Sequence, residues 1–483
     1  MSRLWAGWSL PAELPLVAFL AICSIVLGAI AGLLPWFVTA AAVASFAAII
    51  VSLYWPWVSV VVALAMIFEV IPRAVVPQLP VVGGQLSGYD LLLLLLVVIW
   101  IGRALTGFDA GSKRNDEQTG ALGAFRWPLL YLASAMLLSA LYAKFFARNA
   151  AYLSEGRAAI VWLALPLTLA FLEGRSGLTR LRWVSLLFAL VIAGYVSLQS
   201  LLDVRIMTTA RIEQLDESKS DVIRSIAGGG VYLIAFAWFY FIALLFEKTK
   251  RKGLHVPAIG LLTLGLAVQF GRGVWIATAI GLLVSAYIHR GMLGTVLTSV
   301  IGVGVAMTLF VLLSIAQPPL ADALAERAMG IGEQLKSGGT LQWRRVENDE
   351  AMKRIAERPL TGVGLGGEYK KVRSSAGTFE IETTYIHNGY LYFPLKFGLF
   401  GGFIPFAFIT AFFWVALKCH RSVATIEDRC LLAALCGAFS VPVIASVSQP
   451  EWVSPQGIAA FAIFMAMISM LLQVNTSTHG SEG

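Results

Sequence analysis

The sequence predicts an all-α, polytopic membrane protein, and three observations carry that prediction. The chain is 58% hydrophobic and 13% charged, against the roughly 25% charged residues of a soluble domain. Its apolar residues gather in runs of about 17–25, the length that crosses a bilayer as a helix. A single long polar stretch, residues 317–400, interrupts those runs and has bilayer-length apolar sequence on both sides. Such a stretch must be displayed on one membrane face.

Counting apolar windows gives about fourteen transmembrane helices. The first three fall near 14–34, 36–53 and 57–71, separated by short turns rich in Pro and Trp. The first of them lacks a basic cluster and a cleavage site, so it reads as a retained helix rather than a removed leader. A Pro- and Gly-rich loop over 72–89 leads to a helix over 90–105, and a polar loop over 106–126 follows. Helices over 127–143, 158–172 and 183–202 come next, then a polar segment at 203–224 and the triplet Gly228-Gly229-Gly230, which opens a helix to Phe246. The chain divides into N-terminal helices (1–202), central helices with Arg-containing loops (203–316), the large loop (317–388) and C-terminal helices (389–483).

Charge orients the spans. The loop 247–255 holds Lys248, Lys250, Arg251 and Lys252, the densest basic run, which the positive-inside rule places in the cytoplasm. Counting outward puts both termini inside and the loops before Ala158, before Gly228, at Gly271 to Gly273 and at 317–388 outside. The last carries ten Lys and Arg, but loops longer than about 60 residues translocate regardless of charge. The net charge of +8 is dispersed through short loops, so nucleic acid is not an expected partner. Cys23, Cys419, Cys430 and Cys436 show no paired metal spacing, and none lies in the long loop.

Within that loop, Leu320, Leu324, Ala328, Ile331 and Leu335 recur at helical spacing, and Trp343, Val346, Met352 and Ile355 suggest a second amphipathic helix ended by Pro359. These helices are expected to lie on the membrane surface or to cap a cavity. Gly362, Gly364, Gly366 and Gly367 then form a turn-rich link that permits lid-like movement.

Three features could carry chemistry. Of the five histidines, His255, His289, His420 and His479 fall at inner loops, inner helix ends or the tail, leaving His387 on the outer face. Histidine exchanges protons near neutral pH, which makes His387 the candidate base; the alternative is an interfacial histidine at a helix start beside Asn388. Second, Arg272 stands between Gly271 and Gly273 at an outer helix junction. Charge there needs a partner or water, and the glycines let a ligand approach the backbone; the alternative is a tight turn whose Arg reaches lipid headgroups. Third, Arg205, Arg211, Lys219 and Arg224 lie in the outer loop before Gly228. The planar fork of Arg matches phosphate oxygens, so together these residues suggest a site for an anionic lipid headgroup. The sequence has no His-x-x-x-His helix and no Gly-rich phosphate loop. Asp216, Glu217, Glu347 and Glu368 lie in outer loops, yet catalysis by Arg and His without a metal or other cofactor is the expectation.

The segment Arg272-Gly273-Val274-Trp275, the run from Pro359 to Gly366, then His387-Asn388-Gly389-Tyr390-Leu391 and Gly398-Leu399-Phe400-Gly401 resemble the O-antigen ligase and polysaccharide polymerase superfamily, over residues 203–401. The resemblance implies a GT-C-like membrane glycosyltransferase in a bacterial inner membrane, acting at the periplasmic face on a glycan carried by undecaprenyl diphosphate. It implies that Arg272 and a preceding outer-loop arginine, Arg224 first and Arg211 second, clamp the diphosphate. His387 would sit beside the reacting centre, with Asn388, Tyr390, Gly271 and Gly273 in support. Direct attack on the anomeric carbon would invert its configuration. The implied partners are the lipid-linked donor, an acceptor that is either lipid A core or a second lipid-linked glycan, membrane lipids, and polysaccharide assembly and chain-length proteins. Ligase and polymerase both fit these residues, as lipopolysaccharide or exopolysaccharide biosynthesis would require. A transporter or flippase of lipid-linked glycans is the alternative of another class; it predicts ionisable groups near the bilayer midplane, where Glu69 is the main charge. A non-catalytic scaffold predicts that His387→Ala is silent.

Overall fold

The computed structural model describes residues 47–72, 75–81, 84–106, 122–202, 211–214, 223–226, 228–247, 252–329, 340–369, 372–373, 380–381 and 384–479. The expected helix at 14–34, most of that at 36–53 and the side chains of Arg205, Arg211, Lys219 and Arg224 lie outside them. Two compact units divide the chain, Met1–Ser59 and Val60–Gly483, and apart from the first residues of the opening helix the second holds all that follows.

The architecture is all-α, with three two-stranded antiparallel hairpins as its only strands among the described residues. After α1 (Pro56–Ile67), the hairpin β1 (Gln78–Val81) and β2 (Gly84–Ser87) feeds α2 (Gly88–Thr106). Next come α3 (Arg126–Tyr142), the short α4 (Tyr152–Gly156), α5 (Ala164–Phe171) and α6 (Gly174–Leu202). The hairpin β3 (Arg211–Gln214) and β4 (Ile223–Ile226) precedes α7 (Gly230–Leu245), α8 (Lys252–Ala267) and α9 (Arg272–Ala316). The large loop contributes α10 (Pro318–Met329), α11 (Thr340–Glu357) and the minimal hairpin β5 (Val372–Arg373) and β6 (Glu380–Ile381). The chain returns through α12 (Gly389–Gly401), α13 (Ile404–Ser422), α14 (Ile426–Ala445) and α15 (Pro455–His479).

Among the described residues, eight helices are long and apolar enough to cross a membrane. A ninth span arises if α12 and α13, bent by 91°, count as one, and three shorter apolar helices accompany them. The chain is therefore a multi-pass membrane protein. Helices α7, α14 and α15 are buried nearly throughout, whereas α3 turns Trp127, Leu137 and Leu138 outward. Exposed apolar side chains on a spanning helix meet lipid tails as readily as they would a core, so close packing must hold the helices together. Glycines provide it: Gly281 of α9 and Gly437 of α14 face each other so closely that a Cβ on either would lie 2.6–2.7 Å from the other's carbonyl oxygen. Stacked rings fill the interior, with Phe412 on Phe439 at 3.7 Å and Trp452 on Phe461 at 3.9 Å.

The helices sort the loops into two ends. At one end, Arg175 pairs with Asp428 at 2.7 Å, Arg182 with Glu427 at 3.3 Å and Arg290 with Glu247 at 3.3 Å. The far ends of the same helices gather Gly228, Arg272 and the loop 446–454. Among the described residues, the turns at Arg175–Arg182, at Glu247 and at 427–428 thus share one end.

Two readings change. Glu69 is not within a span: it follows α1 in a turn at φ 60° and accepts a 2.5 Å bond from Gln456. The glycines after Pro359 do not form a loose link. Gly362, Gly364 and Gly366 have φ of 62°, 77° and 67°, a region where side chains are strained. The segment is locked against the membrane helices: Val363 donates to the Leu395 carbonyl at 2.8 Å, Leu365 donates to Ser139 at 3.1 Å, and Asn149 donates to the Val363 and Leu365 carbonyls. A Cβ on Gly366 would lie 2.5 Å from the backbone of Ala151 and Tyr152. Only glycine permits so close an approach.

Candidate functional site

Helix α12 starts at the His387-Asn388-Gly389 sequence because Asn388 caps it. The Asn388 Oδ1 accepts from the backbone N–H groups of Tyr390 at 3.0 Å and Leu391 at 3.2 Å, satisfying donors that a helix start leaves open. Gly389 donates its N–H to the Ser446 carbonyl at 2.8 Å, and the Tyr390 hydroxyl donates to the Val443 carbonyl at 2.8 Å. Asn388 and Tyr390 thus build the junction on which His387 stands.

His387 itself is turned to the large loop. Its Nδ1 lies 3.0 Å and 3.2 Å from the two carboxylate oxygens of Glu347 on α11, and its backbone N–H donates to the same carboxylate at 3.2 Å. The Tyr385 ring meets the imidazole edge-on at 4.9 Å, and the His387 side chain keeps 44% exposure. Tyr369 closes the cluster: its hydroxyl donates to the Tyr385 carbonyl at 3.2 Å, and its own carbonyl accepts from Arg354 of α11 at 3.0 Å. Burial, reinforced by the Glu347 carboxylate, pushes the Tyr369 hydroxyl above the usual tyrosine range, so it stays a donor. Burial draws the Arg344 guanidinium below its usual value, with Glu347 acting in the opposite sense.

Arg272 opens α9 after a sharp reversal in which the buried Phe270 takes φ 51°, a conformation that costs a bulky residue roughly 1–3 kcal/mol. Gly271 is not the residue at positive φ; Phe270 is. The Arg272 Nε donates to the Arg327 carbonyl of α10 at 2.7 Å, and the Arg327 Nε donates back to the Phe270 carbonyl at 3.2 Å. The Arg272 Nη1 is buried without a hydrogen-bond partner among the described residues. Each loop helix is therefore docked on one candidate junction, α10 on Arg272 and α11 on His387.

One loop, residues 446–454, joins the two junctions. Gly389 contacts it through Ser446, and a Cβ on Gly273 would lie 3.4 Å from the Ser448 Oγ. Gly229 reaches Gln456 beyond it, its N–H 3.4 Å from the side-chain oxygen. Glu451 in this loop is buried and accepts from the Ser454 hydroxyl at 3.1 Å, and burial raises its carboxyl above the usual range. Arg224 and Arg211 lie on the β3–β4 hairpin, where Glu213 is opposite Arg224 and Arg211 opposite Ile226. Among the described residues, no group of three His, Cys, Asp or Glu could hold a metal ion.

Glu347, Arg327 and Glu451 did not stand out as site residues in sequence. The helix over 340–357 does, but apolar periodicity mixes two faces: Val346 and Met352 are exposed, while Ile355 is buried together with Ala351. The inward face continues toward the helix start through Asn348, Glu347 and Arg344 at spacings of three and four residues. A polar inward face beside a histidine was the available signal.

The fold and this arrangement define a multi-pass, all-α membrane protein with its candidate polar groups at one end of the helix bundle. Residues 257–406, which contain both junctions, match the family described as O-antigen ligase. No curated protein matches the chain.

Proposed function

We propose that the protein moves a glycan from undecaprenyl diphosphate to an acceptor hydroxyl at the periplasmic face of the inner membrane, as an O-antigen ligase. The observation that carries this reading is the pair of junctions on one loop: an arginine with an unpartnered buried donor, and a partly exposed histidine held by a carboxylate, both within the matched segment. That two such groups stand at one end of the bundle favours an enzyme over a transporter.

His387 takes the proton from the acceptor hydroxyl as its oxygen bonds to the anomeric carbon. The bond from that carbon to the diphosphate oxygen breaks, and the electron pair leaves with the diphosphate. Arg272, joined by Arg224 or Arg211, offsets the charge growing on the departing group. General base catalysis is worth typically about 10²–10⁴-fold. Attack on the face opposite the leaving group inverts the anomeric centre.

The test is transfer in proteoliposomes containing undecaprenyl-diphosphate glycan, with lipid A core or a second lipid-linked glycan as acceptor, in chelator. Growth on lipid A core, lost in His387→Ala, is the expected result. A ladder on the carrier lipid would assign a polymerase instead. A fully active His387→Ala would remove the histidine from the chemistry, and retention of anomeric configuration would rule out direct attack.

A further inference from the structure

We infer that Glu347 is the positioning residue of His387, so that the base is competent only while α11 is docked on the start of α12. The inference rests on the transferase reading above for its activity, and on geometry alone for the contact.

An ionised carboxylate can only accept hydrogen bonds. At 3.0 Å from the Glu347 Oε2, His387 must therefore carry its ring proton on Nδ1, which leaves Nε2 with the lone pair that removes a proton. The same carboxylate also binds the His387 backbone N–H, so one side chain sets both the tautomer and the ring's placement. Glu347 is itself fixed. It is only 14% exposed, and Ala351 and Ile355, farther along the same helix face, are buried. When the acceptor proton arrives, the carboxylate stabilises the imidazolium, as an orienting acid does for a base in hydrolases.

This arrangement ties chemistry to loop docking. The carboxylate sits on a helix of the large loop, and the histidine at the root of a membrane helix. Departure of α11 would free the histidine's tautomer and open the junction together. Return of the helix would restore both.

The experiment uses the full-length protein in nanodiscs with ¹⁵N-histidine, the His387 signals being assigned by their loss in His387→Ala. Wild type should show a protonated Nδ1 at neutral pH. Glu347→Ala should shift the ring toward the Nε2-protonated form and lower kcat about tenfold, with KM unchanged. Glu347→Gln retains an acceptor, and should keep the tautomer and part of the rate. An unchanged tautomer in Glu347→Ala would overturn the inference, as would a loss confined to KM. If wild type transfers no glycan, the transferase reading fails, while the tautomer shift still decides the contact.

Discussion

The Lys396 ammonium, with no solvent exposure, lies 3.1 Å from the Glu155 carboxylate and ties α12 to α4. The same carboxylate accepts from the Gly366 N–H, and the ammonium also donates to the Gly367 carbonyl at 2.8 Å. The ion pair is thus the clasp of the glycine-rich segment. Removing one partner strands the other charge, which costs about 3–5 kcal/mol. Lys396→Met should lower the thermal midpoint of the detergent-solubilised protein sharply, and Lys396→Met with Glu155→Gln should recover much of it. Equal midpoints for the single and double variants would mean that the pair is not coupled.

The glycines of that segment should be intolerant of a methyl group. Gly366→Ala adds positive-φ strain of roughly 1–3 kcal/mol to a collision with the backbone of Ala151 and Tyr152. Gly304, around which a Cβ would meet nothing within 4 Å, is the control. Limited proteolysis should cut the Gly366→Ala variant faster near 359–369 and leave Gly304→Ala as wild type.

Arg272 should separate charge from geometry. Arg272→Ala removes a donor aimed at the proposed leaving group and should reduce transfer about 10²-fold. Arg272→Lys keeps a point charge without the planar fork, and should retain a fraction of the activity. Because the Nε also holds the Arg327 carbonyl, both variants should increase protease access to α10. Transfer at the wild-type rate in both would exclude the diphosphate role.

Glu451 gives stability a pH dependence of definite sign. Its folded carboxyl sits above the ordinary value of 4.5 because of burial, so the folded state holds its proton more tightly than the unfolded state. Stability contributed by this group is present below that ordinary value and is lost as pH rises toward the raised one. Glu451→Gln should flatten that decline in thermal midpoints measured upward from about pH 4.5. An unchanged slope would show that the carboxyl ionises freely.

How much of this was legible in the sequence depends on the kind of force involved. Spans over 88–106, 174–202 and 426–445 are readable because bilayer thickness fixes the length of an apolar helix. His387 and Arg272 stand out because polar groups at the ends of such helices are few. Glu347 does not, because its helix was read by apolar periodicity, which selects Val346 and Met352, 38% and 53% exposed, over a polar inward face. The partnership of Lys396 with Glu155 spans 241 positions, and no local pattern in one chain announces it. Arg211 and Arg224 lie on one hairpin, and Gly273 and Gly389, the neighbours of Arg272 and His387, both meet the loop 446–454.

That loop also dictates when the protein can become complete. The Gly389 N–H and the Gly273 surface are both closed by residues 446–448, which follow His387 in the chain by about 60 positions, or several seconds of synthesis at about 5–20 residues per second. During that interval the histidine has been made but its floor has not, and only insertion of the α14–α15 pair supplies it. Synthesis thus places the floor of these two junctions after both of them, and a nascent chain stalled before α14 would carry His387 without that floor.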